Sequence, residues 1–142
     1  METIKSKFYD IHFLETFEDI FTVIFEKFPT SQFAVVTDEN ISKLYLQKIE
    51  IEFKKHNKTC SFIVLPEGEV SKTRYHKEKA ENYLFEKKFS RGDVIISIGT
   101  TICNVYKIKG GGVIGDFSGY LASTFMRGIK YVQVRYLELF LL

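Results

Sequence analysis

The chain has 142 residues, 45% of them apolar and 27% charged, and its 20 Lys and Arg against 18 Asp and Glu leave a formal net charge of +2. A single domain of this length buries roughly two thirds of its unfolded surface and needs no staple, while the near balance of charge excludes a strongly basic nucleic-acid binder and a disordered charged tail. No apolar run approaches the ~20 residues of a membrane-spanning helix, and residues 1–10 alternate charged and apolar side chains without the apolar stretch of a secretory signal. The two cysteines, Cys60 and Cys103, lack metal-type spacing and read as free thiols in a reducing compartment. The expectation is a soluble, cytoplasmic protein with neither nucleic acid nor membrane as partner.

Leu14, Phe17, Phe21, Ile24, Phe25 and Phe28 recur at spacings of three and four, which lays an apolar stripe along a helix that Pro29 stops. Residues 33–36 form a short β-branched run, and Thr37-Asp38-Glu39-Asn40 then supplies a turn and a cap for the next helix. Ile41, Leu44, Tyr45, Ile49 and Phe53 share one face of that helix, and residues 54–58 are its solvated exit. A second buried strand is predicted over 61–65, broken by Pro66-Glu67-Gly68, followed by a charged amphipathic helix over 72–89. A third strand covers 94–98 and ends at Gly99; residues 100–109 carry no stripe and are expected to stand outside the sheet. A helix from about 113 to 126 and a strand over 131–134 complete the pattern. Strands alternating with helices predict an α/β fold, a mostly parallel Rossmann-like sheet with helices on both faces.

In such a sheet ligands collect beyond the C-terminal ends of the strands. Three segments fall there: residues 37–40, residues 66–72, and the glycine cluster Gly110-Gly111-Gly112-Val113-Ile114-Gly115-Asp116. The cluster satisfies G-x-G-x-x-G and opens a helix, so its amides and the helix dipole suit a pyrophosphate. A tight turn without a ligand fits the same glycines. Asp38, Asn40 and Ser71 fit capping equally well, and Glu69 with Lys72 fits an exposed ion pair. The acidic residue expected about twenty positions on in an ordinary Rossmann dehydrogenase is missing, because residues 131–135 contain none.

Pro66-Glu67-Gly68-Glu69 with Ser71-Lys72, then Gly111-Gly112-Val113-Ile114-Gly115-Asp116, then Thr124-Phe125-Met126-Arg127-Gly128 running into Val132-Gln133-Val134, together resemble 3-dehydroquinate synthase. The wording is nearest the synthase domain of the fungal pentafunctional AROM polypeptide, and the resemblance covers the N-terminal, NAD-binding half of that enzyme, residues 1–134 here. It implies conversion of 3-deoxy-D-arabino-heptulosonate 7-phosphate to 3-dehydroquinate and phosphate in the shikimate pathway, with NAD recycled and zinc polarising the alcohol. By motif it assigns Asp38 and Asn40 to the adenosine ribose region, and Glu69 and Lys72 to ribose and cofactor-side groups. Gly111, Gly112 and Val113 would cradle the pyrophosphate, and Asp116 would seat the nicotinamide half. Arg127 would bind a substrate phosphate, in the family from the neighbouring subunit of a homodimer, a role that suits its planar, permanently charged fork.

The sequence departs from the family twice. Residues 100–110 stand as an insertion between the third strand and the glycines, and residues 135–142 replace the family's continuation as a non-family tail. Both resemble intron sequence read in frame. The family's zinc ligands, one Glu and two His, lie in the unmatched part, and His12, His56 and His76 are too dispersed to replace them. The chain alone is therefore expected to be inactive, and the insertion to uncouple the glycine turn from its strand. Two other readings stand beside this one: a glycerol-dehydrogenase-like NAD-binding domain, and a non-catalytic α/β binding module.

Overall fold

A computed structural model describes residues 2–66, 73–103, 108–109 and 112–139. The chain runs β1 (Glu2–Lys5), β2 (Asp10–Phe13), α1 (Phe17–Lys27), β3 (Phe33–Asp38), α2 (Glu39–Lys55), β4 (Cys60–Leu65), α3 (Arg74–Glu86), β5 (Val94–Cys103), β6 (Ile108–Lys109), α4 (Gly112–Thr124) and β7 (Lys130–Leu139). β1 and β2 pair antiparallel as a separate hairpin. β4, β3, β5 and β7 lie side by side in parallel, and β6 adds a short antiparallel pair to β5.

Short polar side chains start the helices. Thr16 accepts the amide of Asp19 at 3.2 Å, Asp38 that of Ile41 at 2.8 Å, and Thr73 that of His76 at 3.4 Å. Each bond satisfies a donor that the first helical turn leaves without a partner. Asn57 and Lys88 end α2 and α3 in the left-handed region, φ 55° and 60°, which lets the amides of Lys58 and Phe89 reach back to the carbonyls of Phe53 and Leu84.

Side chains alternate along the strands and so supply two cores. Phe33, Val35, Val94, Ile96 and Ile98 face α1 and α2, with Phe21, Phe25, Ile49 and Phe53. Ala34, Val36, Ile63, Leu65 and Ile95 face α3 and α4, with Leu84, Phe117, Leu121 and Phe125. The first core is aromatic: the Phe53 ring meets those of Phe25, Phe21 and Phe33 at 4.9, 5.7 and 5.8 Å, all edge-on.

The strand order is the functional consequence. From β3 the chain goes to β4 on one side, with α2 on one face, then returns across β3 to β5 and on to β7, with α3 and α4 on the other face. The order reverses between β3 and β5, and at such a switch the connections leave in opposite directions and open a crevice above the strand ends.

Three expectations change. The hairpin at residues 2–13 was not predicted, because two four-residue strands with mixed polarity carry too short an alternation to stand out. The third strand does not stop at Gly99 but runs to Cys103, and residues 108–109 pair back onto it, so this part of the 100–109 segment lies in the sheet. The last strand likewise runs to Leu139 rather than Val134. Thr100, Thr101 and Ile102 are β-branched and extend the strand once residues 136–139 offer a parallel partner.

Asp93 ties the bottoms of the two central strands. Its buried carboxylate accepts the amides of Gln32 and Ser90, each at 2.8 Å. Asp93→Ala strands both donors, at about 1–3 kcal/mol each, and urea unfolding should show a lower midpoint with an unchanged slope. A midpoint equal to that of the parent chain would remove Asp93 from this role.

Candidate functional site at the switch point

The C-terminal ends of β3 and β4 are flush, and Gly99 of β5 lies at the same height although β5 continues past it. Asp38 pairs with Leu65, and continuing the β3 to β5 register beyond Val36 and Ser97 sets Asp38 level with Gly99. Backbone pairing between β3 and β5 ends at Val36 and Ser97. One rung higher the buried Thr37 hydroxyl donates to the carbonyl of Ile98 at 2.8 Å, a side-chain stitch where the strands part.

Two helices begin at this edge. Asp38 caps α2 through Oδ1, and a carboxylate retains acceptor capacity beyond one such bond. Asn40 lies exposed in the first turn. α4 is held by Tyr131 of β7, whose hydroxyl lies 2.9 Å from Ser97 Oγ and donates to the carbonyl of Gly115 at 3.3 Å. A Cβ on Gly115 would lie 2.7 Å from Gln133 Nε2, so the first turn of α4 rests close against the rung where Ser97 pairs with Gln133. Gly112 is three residues nearer the N-terminus, about 4.5 Å further along the helix axis. The helix therefore starts level with the ends of β3 and β4.

Among the predicted residues, Asp38, Asn40, Gly112, Val113 and Asp116 gather at this edge through the starts of α2 and α4. Asp116 is exposed in the first turn of α4. Glu69, Lys72 and Gly111 lie outside the described residues. Between β4 and α3 lies a groove of about 300 Å³ bordered by Glu39, Pro66, His76, Lys79 and Tyr83, a feature the sequence reading missed.

Arg127 is placed apart. It follows the C-terminal end of α4, one turn before β7 begins, and so sits at the opposite edge of the sheet from Asp38 and Gly112. Met126 and Arg127 are left-handed at φ 51° and 63°, and Gly128 at φ 118° takes a conformation only glycine adopts easily. Arg127 is exposed there, so it projects from this chain toward solvent and not into its own crevice.

The described residues do not fit zinc: no three His, Cys, Asp or Glu among them are grouped to hold a metal. His56 bonds the carbonyl of Glu52 at 2.9 Å, His76 lies 2.9 Å from Thr73 Oγ1, and His12 is in the N-terminal hairpin. Burial pushes the Cys60 thiol well above its ordinary range, and the carboxylate of Glu50 adds to the shift. The protonated thiol is thereby favoured near neutral pH. Among the described residues no helix is long and apolar enough to cross a membrane.

The family model for the 3-dehydroquinate synthase N-terminal region matches residues 62–137, more than half of the chain. The chain belongs to the 3-dehydroquinate synthase family. It is 40% identical over 121 residues to the pentafunctional AROM polypeptide of Schizosaccharomyces pombe, covering 81% of this chain and 7% of that one. It is 34% identical over 131 residues to the 3-dehydroquinate synthase of Endomicrobium trichonymphae, covering 92% and 33%. The chain thus spans about a third or less of these relatives. In fold it is similar to the 2-epi-5-epi-valiolone synthase ValA of Streptomyces hygroscopicus, solved with NAD+ and Zn2+ bound, at a TM-score of 0.73 and 16% identity over 95% of this chain and 34% of that one. A 2-deoxy-scyllo-inosose synthase complexed with carbaglucose-6-phosphate, NAD+ and Co2+ gives 0.63 and 17%, over 82% and 30%.

The Tyr131 hydroxyl is the fastening of α4 to the sheet. Tyr131→Phe leaves the buried Ser97 hydroxyl and the Gly115 carbonyl short of a partner, at about 1–3 kcal/mol. Adding Ser97→Ala should recover part of that loss, because both members of the pair are then apolar. Chemical denaturation of the two single variants and the double variant checks this; strict additivity would show that the two hydroxyls act independently.

Proposed function

We propose that this chain is the NAD-binding part of a 3-dehydroquinate synthase and takes the dinucleotide in the crevice between β3 and β5. The observation that carries the reading is the convergence of two helix starts, at Asp38 and Gly112, on the point where strand order reverses. A helix start directs free amides and a partial positive charge at an anion. Residues 111–113 would hold the pyrophosphate through backbone amides. Asp38 and Asn40 would face the adenosine ribose, joined by Glu69 and Lys72 from the β4–α3 connection. Asp116, one turn into α4, would orient the nicotinamide half.

When bound, NAD supplies reversible hydride acceptance from a substrate alcohol. The chain's own part is to bind and orient: strands fix where the amides point, and the two cores keep the sheet edge rigid beneath them. The substrate would be a phosphorylated sugar acid, the heptulosonate phosphate of the family reaction. Arg127 would meet its phosphate from a neighbouring copy, since in its own chain it stands at the far edge of the sheet. Zinc would come with the longer relatives' remaining length, and no step through it is assigned to residues described here.

Calorimetric titration should show saturable NAD binding to the 142-residue chain. Asp116→Ala should weaken it roughly tenfold, the equivalent of one charge-assisted hydrogen bond. Lys55→Ala is the control; Lys55 pairs with Glu52 at 3.0 Å at the far end of α2 and should leave affinity unchanged. Undiminished binding by Asp116→Ala would withdraw that residue from the site.

The same polypeptide, supplied with heptulosonate phosphate, NAD and zinc, should release no phosphate above a heat-inactivated control. Release above that control would show that residues within these 142 complete the catalytic centre.

A further inference from the structure

The short strand β6, between β5 and α4 in the chain, stands over the crevice, and this inference rests on the dinucleotide reading above. β5 runs four residues beyond Gly99, a rise of about 13 Å above the flush edge of β3 and β4. Its two edges are taken in different ways. β7 occupies one edge along the whole length, from Val94 opposite Lys130 to Cys103 opposite Leu139. β3 occupies the other, but its pairing ends at Val36 and Ser97. β6 also pairs with β5, Lys109 opposite Ile102 and Ile108 opposite Cys103, and only the β3 side is free there.

β6 therefore stands over the end of β3, on the side of β5 where the strand order reverses. Ile102 is three residues past Gly99, which is level with Asp38, so Lys109 sits about 10 Å above Asp38 along the strand direction. Because β6 is antiparallel to β5, it runs back down toward the edge, and α4 opens three residues after Lys109. The strand β6 itself thus stands over the side of the crevice where the order reverses.

We propose that the ribbon of residues 100–103 and 108–109, braced by residues 136–139, is an autoinhibitory cover of the switch-point crevice that competes with the dinucleotide. The brace matters because Ile102 and Cys103 have partners on both edges, β6 and β7. A strand extension paired on both sides holds its position; one paired on a single side frays. Binding then requires the ribbon to lift, and a crevice open about a tenth of the time lowers apparent affinity roughly tenfold.

The test titrates NAD into the 142-residue chain, a chain lacking residues 100–110 with Gly99 joined to Gly111, and Leu137→Pro, which removes an amide from the brace. Circular dichroism and thermal melting verify that each is folded. Affinity should rise roughly tenfold on deletion and in the same direction for Leu137→Pro. Hydrogen exchange on the unaltered chain should show protected amides within residues 102–103 and 136–139. Equal NAD affinity in the unaltered and shortened chains overturns the cover while leaving the dinucleotide site standing. Exchange at free-peptide rates in residues 102–103 overturns it whatever the affinities. If no form binds NAD, the dinucleotide reading fails, and with it competition by the ribbon.

Discussion

Everything in this fold depends on β3 being enclosed. It is paired on one edge with β4 and on the other with β5, and Phe33, Ala34, Val35 and Val36 are at most 1% exposed. A strand covered on both faces must be apolar throughout, which is why this stretch shows no alternation. The enclosure forces the chain to leave β3 twice in opposite directions, and that reversal makes the crevice. Asp38 is the first residue of β3 that can face water, and it stands where the crevice opens.

The two faces are built differently. The α1/α2 face is filled by interlocking phenylalanine rings, whereas α4 adds to its apolar side, Phe117 and Leu121, a close approach of Gly115 and Gly119 to Gln133 and Tyr131. The difference follows from what each helix must do. α1 and α2 need only bury area, and aromatic rings supply it. α4 has to deliver its first turn to a defined height on the sheet, and a directional hydroxyl bond beneath glycines sets that height more sharply than apolar packing, which tolerates sliding.

Much of this was legible in the sequence because the two signals it uses are local. Helical stripes such as Phe17, Phe21, Ile24 and Phe25, and the unbroken runs at 33–36 and 61–65, place six of the elements to within a few residues, and the run at 94–98 places the start of β5. The residues of the candidate site were legible by motif and by their position after strands. Gly99 misled, because glycine reads as a strand end, yet the β-branched residues after it continue the strand. Their continuation depends on a partner more than thirty residues away, and no local pattern reports such pairing. The groove beside α3 was illegible for the same reason, since it arises from β4 and α3 meeting across a connection.

The far ends of β5 and β7 bear on each other in a way their sequence separation hides. Thr100 pairs with Tyr136, Thr101 with Leu137, Ile102 with Glu138 and Cys103 with Leu139. An extra segment in one crossover would ordinarily loop out at an entropic cost that grows slowly with its length. Here it meets a second extension, in register and in the same direction, so each satisfies backbone groups that the other would leave in water. The shared ladder also explains how α4 keeps its place. Residues 102–103 and 108–109 are paired in the sheet just before α4 begins, and Tyr131 holds the helix from below. The constraint on the height of α4 runs through β7, which contributes both the partner of residues 100–103 and the residue that seats the helix.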